Sequence, residues 1–285
     1  MQLKPDCFVC LYNQTLRVTK ALSCDEECAD RVLQKIAAEL ATLDPHQTPP
    51  EAAAILYPKI SQIVGKEDLY EAQKIESTNK ALALLDFVWE RIDQADDELD
   101  AALRAAVAGN VIDFATQVSF DLEREIQKIF DATFAIDQKK EFIRKLSQAK
   151  SLVVIGDNVG EHVFDKVMIE VFKERFDIDV YYFVRGRPII NDVTIIEAAE
   201  IDMPKVCEVV DTGVDTPGFI YERANKRARE LFDGADLILA KGMGNFECLE
   251  GRIDDRLYYL FKIKCSVVAN RVGKNVGDLI CGKNL

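Results

Sequence analysis

The sequence predicts an α/β protein: a doubly wound parallel sheet preceded by an all-α helical region. Two observations carry this. From Ser151 onward, continuously apolar, β-rich runs alternate with amphipathic helical stretches, the order that builds a parallel sheet buried on both faces. Before Ser151, apolar residues instead recur at helical spacing almost throughout, as helices packed in a bundle or cap require. The 285 residues suit one large or two modest domains. We place the boundary between residues 1–95, an N-terminal helical domain, and residues 96–285, whose sheet starts at about 151 after leading helices.

In chain order, Ser23 with Glu26 forms a capping box, and Val32, Ile36 and Leu40 follow at helical spacing. "DPHQTPP" (44–50) breaks that helix, and Pro49–Pro50 open another through about Ile63. Residues 67–92 predict one long helix with Leu82, Leu85, Trp89 and Ile92 on one side, and further helices cover 96–108, 119–130 and 137–148. Strands are expected at "SLVVIG" (151–156), "DVYYFV" (179–184), "KVCEVV" (205–210), "ADLILA" (235–240) and "KCSVVA" (264–269), with helices near 161–175, 193–200, 217–232 and 254–262 between and around them.

Ligands of such sheets bind outside the carboxyl ends of the strands. The segments there read "GDNVGE", "RGRPIIND", "DTGVDTPG", "KGMGNFE" and "NRVGKN", all rich in Gly, Asp, Asn, Arg or Lys, while the opposite strand ends are unremarkable. The chemistry therefore belongs on one edge of the sheet.

Asp157, Asn158 and Asp192 offer carboxylate and carboxamide oxygens suited to a hard divalent cation. Each of the three reads equally as the cap of a following helix. In "KGMGNFE", Gly242 and Gly244 free the backbone to approach a ligand, and Lys241 supplies a point charge for phosphate or is a solvated lysine beside a glycine turn. Pro217 is read as opening a helix whose N-terminus would take an anion. Arg185 and Arg187 suit substrate contact or structural ion pairs, and Glu161 and Asp215 suit proton transfer, substrate contact or structure. G-x-G-x-x-G, the P-loop and G-x-S-x-G are absent. The aspartates of "FDIDV" precede their strand and so lie on the wrong edge for a nucleophile. His162, one of two histidines, reads as a packing or surface residue.

A net charge of −13 argues against broad nucleic-acid binding. No apolar run approaches the roughly 18 residues that span a bilayer, and the N-terminus lacks a signal peptide's apolar region, so a cytoplasmic location is expected. Four of eight cysteines, Cys7, Cys10, Cys24 and Cys28, fall in the first 28 residues. In a reducing compartment they read as a second metal site, a redox pair, or small buried hydrophobes.

With "GDNVGE", "RGRPIINDVT" and "KGMGNFE" in that order at strand ends, the chain resembles the damage-control phosphatase family, formerly catalogued as a domain of unknown function. "CFVC" resembles the C-x-x-C pair of its prokaryotic subfamily. The resemblance implies a three-layer α/β/α, Rossmann-like catalytic domain behind a helical domain. It also implies a metal-dependent phosphatase acting on damaged or surplus phosphometabolites, sugar phosphates or nucleotides. Asp157, Asn158 and Asp192 would then hold the metal, with Mn²⁺ preferred over Co²⁺, Ni²⁺ or Mg²⁺, and Lys241 the substrate phosphate. The expected partner is a small phosphorylated metabolite, with neither nucleic acid nor membrane. The rival readings are a non-catalytic metal- or nucleotide-binding module, a cysteine-based redox module, and a Rossmann-type methyltransferase.

Overall fold

A computed structural model describes residues 1–109 and 120–285. Five helices come first: α1 (Pro5–Ala21), α2 (Glu26–Leu40), α3 (Pro49–Val64), α4 (Glu71–Ala83) and α5 (Leu85–Asp93). The α3 boundaries follow from its ends, with a Thr48–Glu51 capping box and left-handed Gly65. The α2 cap is Asp25, whose side chain accepts from Cys28 N, so the Ser23–Glu26 box does not form. The long helix expected over 67–92 is two helices kinked at Leu84, because each half serves a different neighbour. Lys74 of α4 is drawn into buried ion pairs with Asp68 and Glu197, while α5 packs on α6 (Glu98–Ala108). The apolar stripe is consequently Ala81, Leu84, Val88 and Ile92, and Leu82 is exposed.

Next come α7 (Phe120–Asp131), β1 (Phe134–Asp137) and α8 (Lys139–Leu146), followed by β2 (Ser151–Ile155), α9 (Glu161–Arg175) and β3 (Asp179–Val184). The helix expected over 119–130 matches α7 except at residue 119, which lies outside the described residues. Then follow α10 (Ile195–Glu200), β4 (Glu208–Asp211), α11 (Lys226–Gly234), β5 (Leu237–Lys241) and α12 (Gly242–Leu249), and finally β6 (Leu257–Lys262), α13 (Ser266–Val272) and β7 (Leu279–Gly282).

Two expectations are exchanged near the C-terminus. Residues 254–262, read as helix, hold β6, whose "LYYLFK" is aromatic and almost wholly buried, as a central strand prefers. "KCSVVA", read as a strand, leads into α13: the Cys265 side chain caps Val268 N and left-handed Gly273 ends the helix. "NRVGKN" is therefore not a strand-end segment. Pro217 opens no helix either, since α11 begins at Lys226 behind an Asn225 cap.

The sheet order is β1-β7-β6-β5-β2-β3-β4, parallel except for the β6–β7 pair. From β2 the chain moves to β3 on one side and later returns to β5 on the other. β2 thus lies at the point where strand order reverses, the crevice that binds ligands in open α/β sheets. Its residues divide the core: Leu152 and Val154 pack under α6 and α9, Val153 and Ile155 against the α11–α12 side. Each such buried aliphatic stabilises by about 1.5–3 kcal/mol. A third cluster joins α1, α2 and α3 and includes Ile189 from the loop after β3. Among the described residues, no helix is long and apolar enough to cross a membrane.

Candidate active site

Ile155 is level with Phe183 of β3 and Ala240 of β5, so the three chains leave the sheet together. At Gly156 an added Cβ would lie 2.6 Å from the Tyr182 hydroxyl, which is why the strand turns at a glycine. The following loop is stitched to the one after β3: Val159 N donates to Asn191 O (2.8 Å) and Val193 N to Asp157 O (2.9 Å). Asn158 and Asp192 form a two-residue bridge. Three sequence-predicted residues, Asp157, Asn158 and Asp192, are thereby brought to one place. Just before Asp192, Ile190 holds φ at 49°, a left-handed conformation that a β-branched residue adopts only when its surroundings enforce it.

The side chains are fixed in turn. Asp192 Oδ2 accepts from Arg185 Nε at 2.8 Å, and Arg185 Nη2 donates to Asn245 Oδ1 at 3.2 Å. Asn245 Nδ2 donates to Gly156 O at 3.0 Å and to the Lys241 carbonyl. Asn158 Nδ2 donates to Asp157 Oδ2 (3.2 Å) and Glu161 Oε1 (3.1 Å), leaving its carboxamide oxygen as a lone-pair donor. Gly242, at φ 78°, has room for no Cβ because Asp157 Oδ2 occupies that position. The first turn of α12 therefore abuts the Asp157 carboxylate.

Burial pushes Asp192 up to about 7, with the Asp157 charge adding to the effect and Arg185 opposing it. Burial likewise raises Asp157, against the pull of Lys264, Arg185 and Lys241. An uncompensated buried carboxylate costs several kcal/mol; Arg185 compensates Asp192, whereas Asp157 is bonded to the neutral Asn158 amide and draws a proton or a cation. Two carboxylates and a carboxamide oxygen are a hard, oxygen-only donor set that fits Mg²⁺ or Mn²⁺ and leaves positions for water and substrate.

These residues open onto a cavity of about 440 Å³ between the sheet edge and the first helices. Its floor includes Asp157, Asn158, Asp192, Met243, Gly244 and Glu247. The helices supply Gln14, Arg17, Gln73 and Ser77, Tyr70 comes from just before α4, and the loop after β6 supplies Lys264. A second, 140 Å³ cavity near Tyr57 and Arg187 is lined by Glu67 and Asp68 and does not include Asp157 or Asp192.

Lys241 sits elsewhere than expected. Its ammonium is fully buried beneath the cavity, bonded to Asp165 Oδ1 and to Ala106 O (2.8 Å), with Glu161 Oε2 at 3.8 Å. Burial draws the lysine down, but the Asp165 and Glu161 charges outweigh it and leave it raised. Tyr182 donates to Asp165 Oδ2 at 2.8 Å, completing the buried network. Glu161 is fully buried here rather than facing the cavity. Asp215 is also outside the cavity lining and ion-paired with Arg187 (2.7 Å) and Arg223 (2.5 Å). His162 is buried: Gly160 N donates to its Nδ1 at 3.0 Å, so its Nε2 carries the hydrogen shared with Glu197 O at 3.2 Å.

The four early cysteines do not gather. Cys7 faces inward and Cys10 outward on α1, while Cys24 and Cys28 place their Sγ atoms 3.3 Å apart. Among the described residues no three His, Cys, Asp or Glu side chains converge as a metal cluster. Sequence reasoning missed Glu247, Lys264, Asn245 and Asp165. Glu247 and Asn245 stand inside the quoted "KGMGNFE", but only the α12 geometry shows which side chains face the cavity and which the interior.

A model of the damage-control phosphatase ARMT1-like domain matches residues 3–280. The chain is 32% identical to a damage-control phosphatase of Pyrococcus horikoshii over 286 residues, covering 100% of this chain and 99% of that one. It is 31% identical to a damage-control phosphatase of Archaeoglobus fulgidus, covering 98% of each. The crystal structure of a DUF89 family protein from Pyrococcus horikoshii superposes with a TM-score of 0.94 at 31% identity, covering 100% of both chains.

Proposed function

The chain belongs to the damage-control phosphatase ARMT1-like family, and from that premise we propose that it is a metal-dependent phosphatase. Its substrates in this reading are phosphomonoesters of small metabolites, damaged or surplus sugar phosphates or nucleotides. The names of its relatives support the phosphatase activity. One observation carries the metal dependence: the stitched loops after β2 and β3 bury Asp157 and Asp192 together, beside the Asn158 carboxamide, on the floor of a cavity at the sheet's switch point.

Asp157, Asn158 and Asp192 would hold the ion, Mn²⁺ in first place, with Co²⁺, Ni²⁺ or Mg²⁺ as alternatives. When bound, it would draw charge from a phosphoryl oxygen. The protein does the rest by fixed electrostatics. Arg185 engages one oxygen of Asp192 and so leaves the other for the ion. Met243 and Gly244, in the first turn of α12, line the cavity, where unpaired N–H groups and the helix dipole favour a phosphate. Lys264 adds charge from the same wall. Lys241, its charge taken up by Asp165 and Glu161, holds Glu161 in place beneath the floor, and Glu161 orients Asn158. Asp215 orders the loop through its two arginines.

The test is a panel of phosphorylated metabolites assayed with several divalent metals, alongside Asp157→Ala. We expect turnover that chelation abolishes and that the variant lacks by at least two orders of magnitude. Full activity in Asp157→Ala would sink the metal assignment. Metal binding without turnover of any ester would favour a non-catalytic binding module instead.

A further inference from the structure

Among the described residues, the buried carboxyls around the site have protein partners, with one exception. Asp192 is held by Arg185, Asp157 and Glu161 by Asn158, and Asp165 by Lys241 and Tyr182. The Glu247 side chain makes no hydrogen bond or ion pair among the described residues, although the residue is only 9% exposed. A carboxyl that lines the cavity without a protein partner keeps its oxygens, and any proton on them, available to a ligand. It projects from α12, whose first turn abuts Asp157 and lines the same cavity as Asp192 and Lys264.

We propose that Glu247 is the acid that protonates the leaving-group oxygen of the phosphomonoester, a catalytic role distinct from the metal-holding set. The proposal rests on the phosphatase reading above. A sugar alkoxide is a poor leaving group, and its departure needs a proton at the ester oxygen as the bond to phosphorus breaks. Glu247 supplies that proton: water adds to phosphorus and releases its own proton to solvent, the P–O ester bond breaks, and the alkoxide leaves as the alcohol. The Glu247 carboxylate then regains a proton from solvent, so ester and water give alcohol and inorganic phosphate with nothing left over.

The surroundings suit a carboxyl that stays protonated near neutrality. Burial pushes Glu247 up to about 8, opposed by the Met1 ammonium and helped by the charge of Asp157. The charge of Glu247 in turn reaches the thiols of Cys7 on α1 and Cys265 before α13 and raises both. The Met1 ammonium itself donates to the Glu247 backbone carbonyl (2.6 Å) and pairs with Glu250, not with the Glu247 side chain.

Glu247→Gln keeps size and neutrality but removes the transferable proton. Its kcat is compared with wild type on p-nitrophenyl phosphate, whose leaving group departs as a stable anion, and on the alkyl phosphomonoester that wild type turns over fastest. Metal affinity is measured in parallel by calorimetry. We expect a loss on the order of 10²–10⁴-fold on the alkyl ester, less than about tenfold on the aryl ester, and unchanged metal binding. Glu247→Asp, which keeps a proton on a shorter arm, should recover part of the alkyl activity and guards against a folding artefact. Equal losses on both esters, weakened metal binding, or an alkyl rate within a few-fold of wild type would each overturn the proposal. Failure of the phosphatase reading itself would show separately, as wild type turning over neither ester.

Discussion

Arg185 and Asp192, seven residues apart, form an ion pair at 2.8 Å with both side chains almost wholly removed from solvent. The pair orients a candidate metal ligand and compensates its charge at once. Replacing Arg185 with Met leaves that carboxylate buried and alone, and should cost about 3–5 kcal/mol of stability, with metal affinity falling as Asp192 turns away. Urea denaturation and calorimetric metal titration check both. Arg185→Lys should recover stability better than metal affinity, because an ammonium cannot hold Asp192 and Asn245 in one planar fork.

Gly242→Ala puts a methyl group where Asp157 Oδ2 lies and forces an L-residue to φ 78°. The left-handed backbone alone costs about 1–2 kcal/mol, and displacement of the carboxylate should lower metal affinity by at least tenfold. A variant that binds metal as wild type does would show that Asp157 is not held against α12.

The two lysines near the site should separate cleanly. Lys241→Met strands Asp165 and Glu161 in the interior and should destabilise by about 3–5 kcal/mol. Lys264→Met alters the cavity wall and should raise KM for phosphomonoesters roughly tenfold, with little change in melting temperature. The opposite pattern, a stable Lys241→Met with raised KM, would return phosphate contact to Lys241.

His162 makes stability depend on acid. Burial depresses it from 6.5 to about 4, so the neutral ring's contribution is complete above about pH 6.5 and is lost as pH falls toward 4. The folded protein binds fewer protons than the unfolded chain across that window, and the loss reaches about 3 kcal/mol. Comparing urea midpoints at pH 7.5 and 5 for wild type and His162→Gln isolates the contribution, and the variant should have the shallower slope. Equal slopes would mean that the ring titrates normally.

What could be seen in the sequence follows from how many faces an element buries. β2, β3 and β5 are central strands, and their unbroken apolar runs announced them, as did the glycine, aspartate and asparagine at their ends. Position and side-chain chemistry therefore singled out Asp157, Asn158 and Asp192, which the structure places together on the cavity floor. β1 and β7 have only four residues each and offer little pattern. In "KCSVVA" apolar composition suggested a strand, but a Cys265 cap and a glycine stop make a helix. Lys241 was placed on the right edge, yet its last bond rotations turn it under the floor toward Asp165, on α9. Composition along β5 holds no record of that partner.

Ile189 belongs to the apolar cluster of α1, α2 and α3, and Asp192, three residues on, belongs to the cavity floor. A single short stretch of chain is thus clamped at one end by the helices and at the other by the sheet. The helical half is consequently no detachable cover but one jaw of a die, with the acids set in the other. In the phosphatase reading, retooling such a die for a different metabolite means recutting Gln14, Gln73 and Ser77 on the helical jaw while the acids stay where they are.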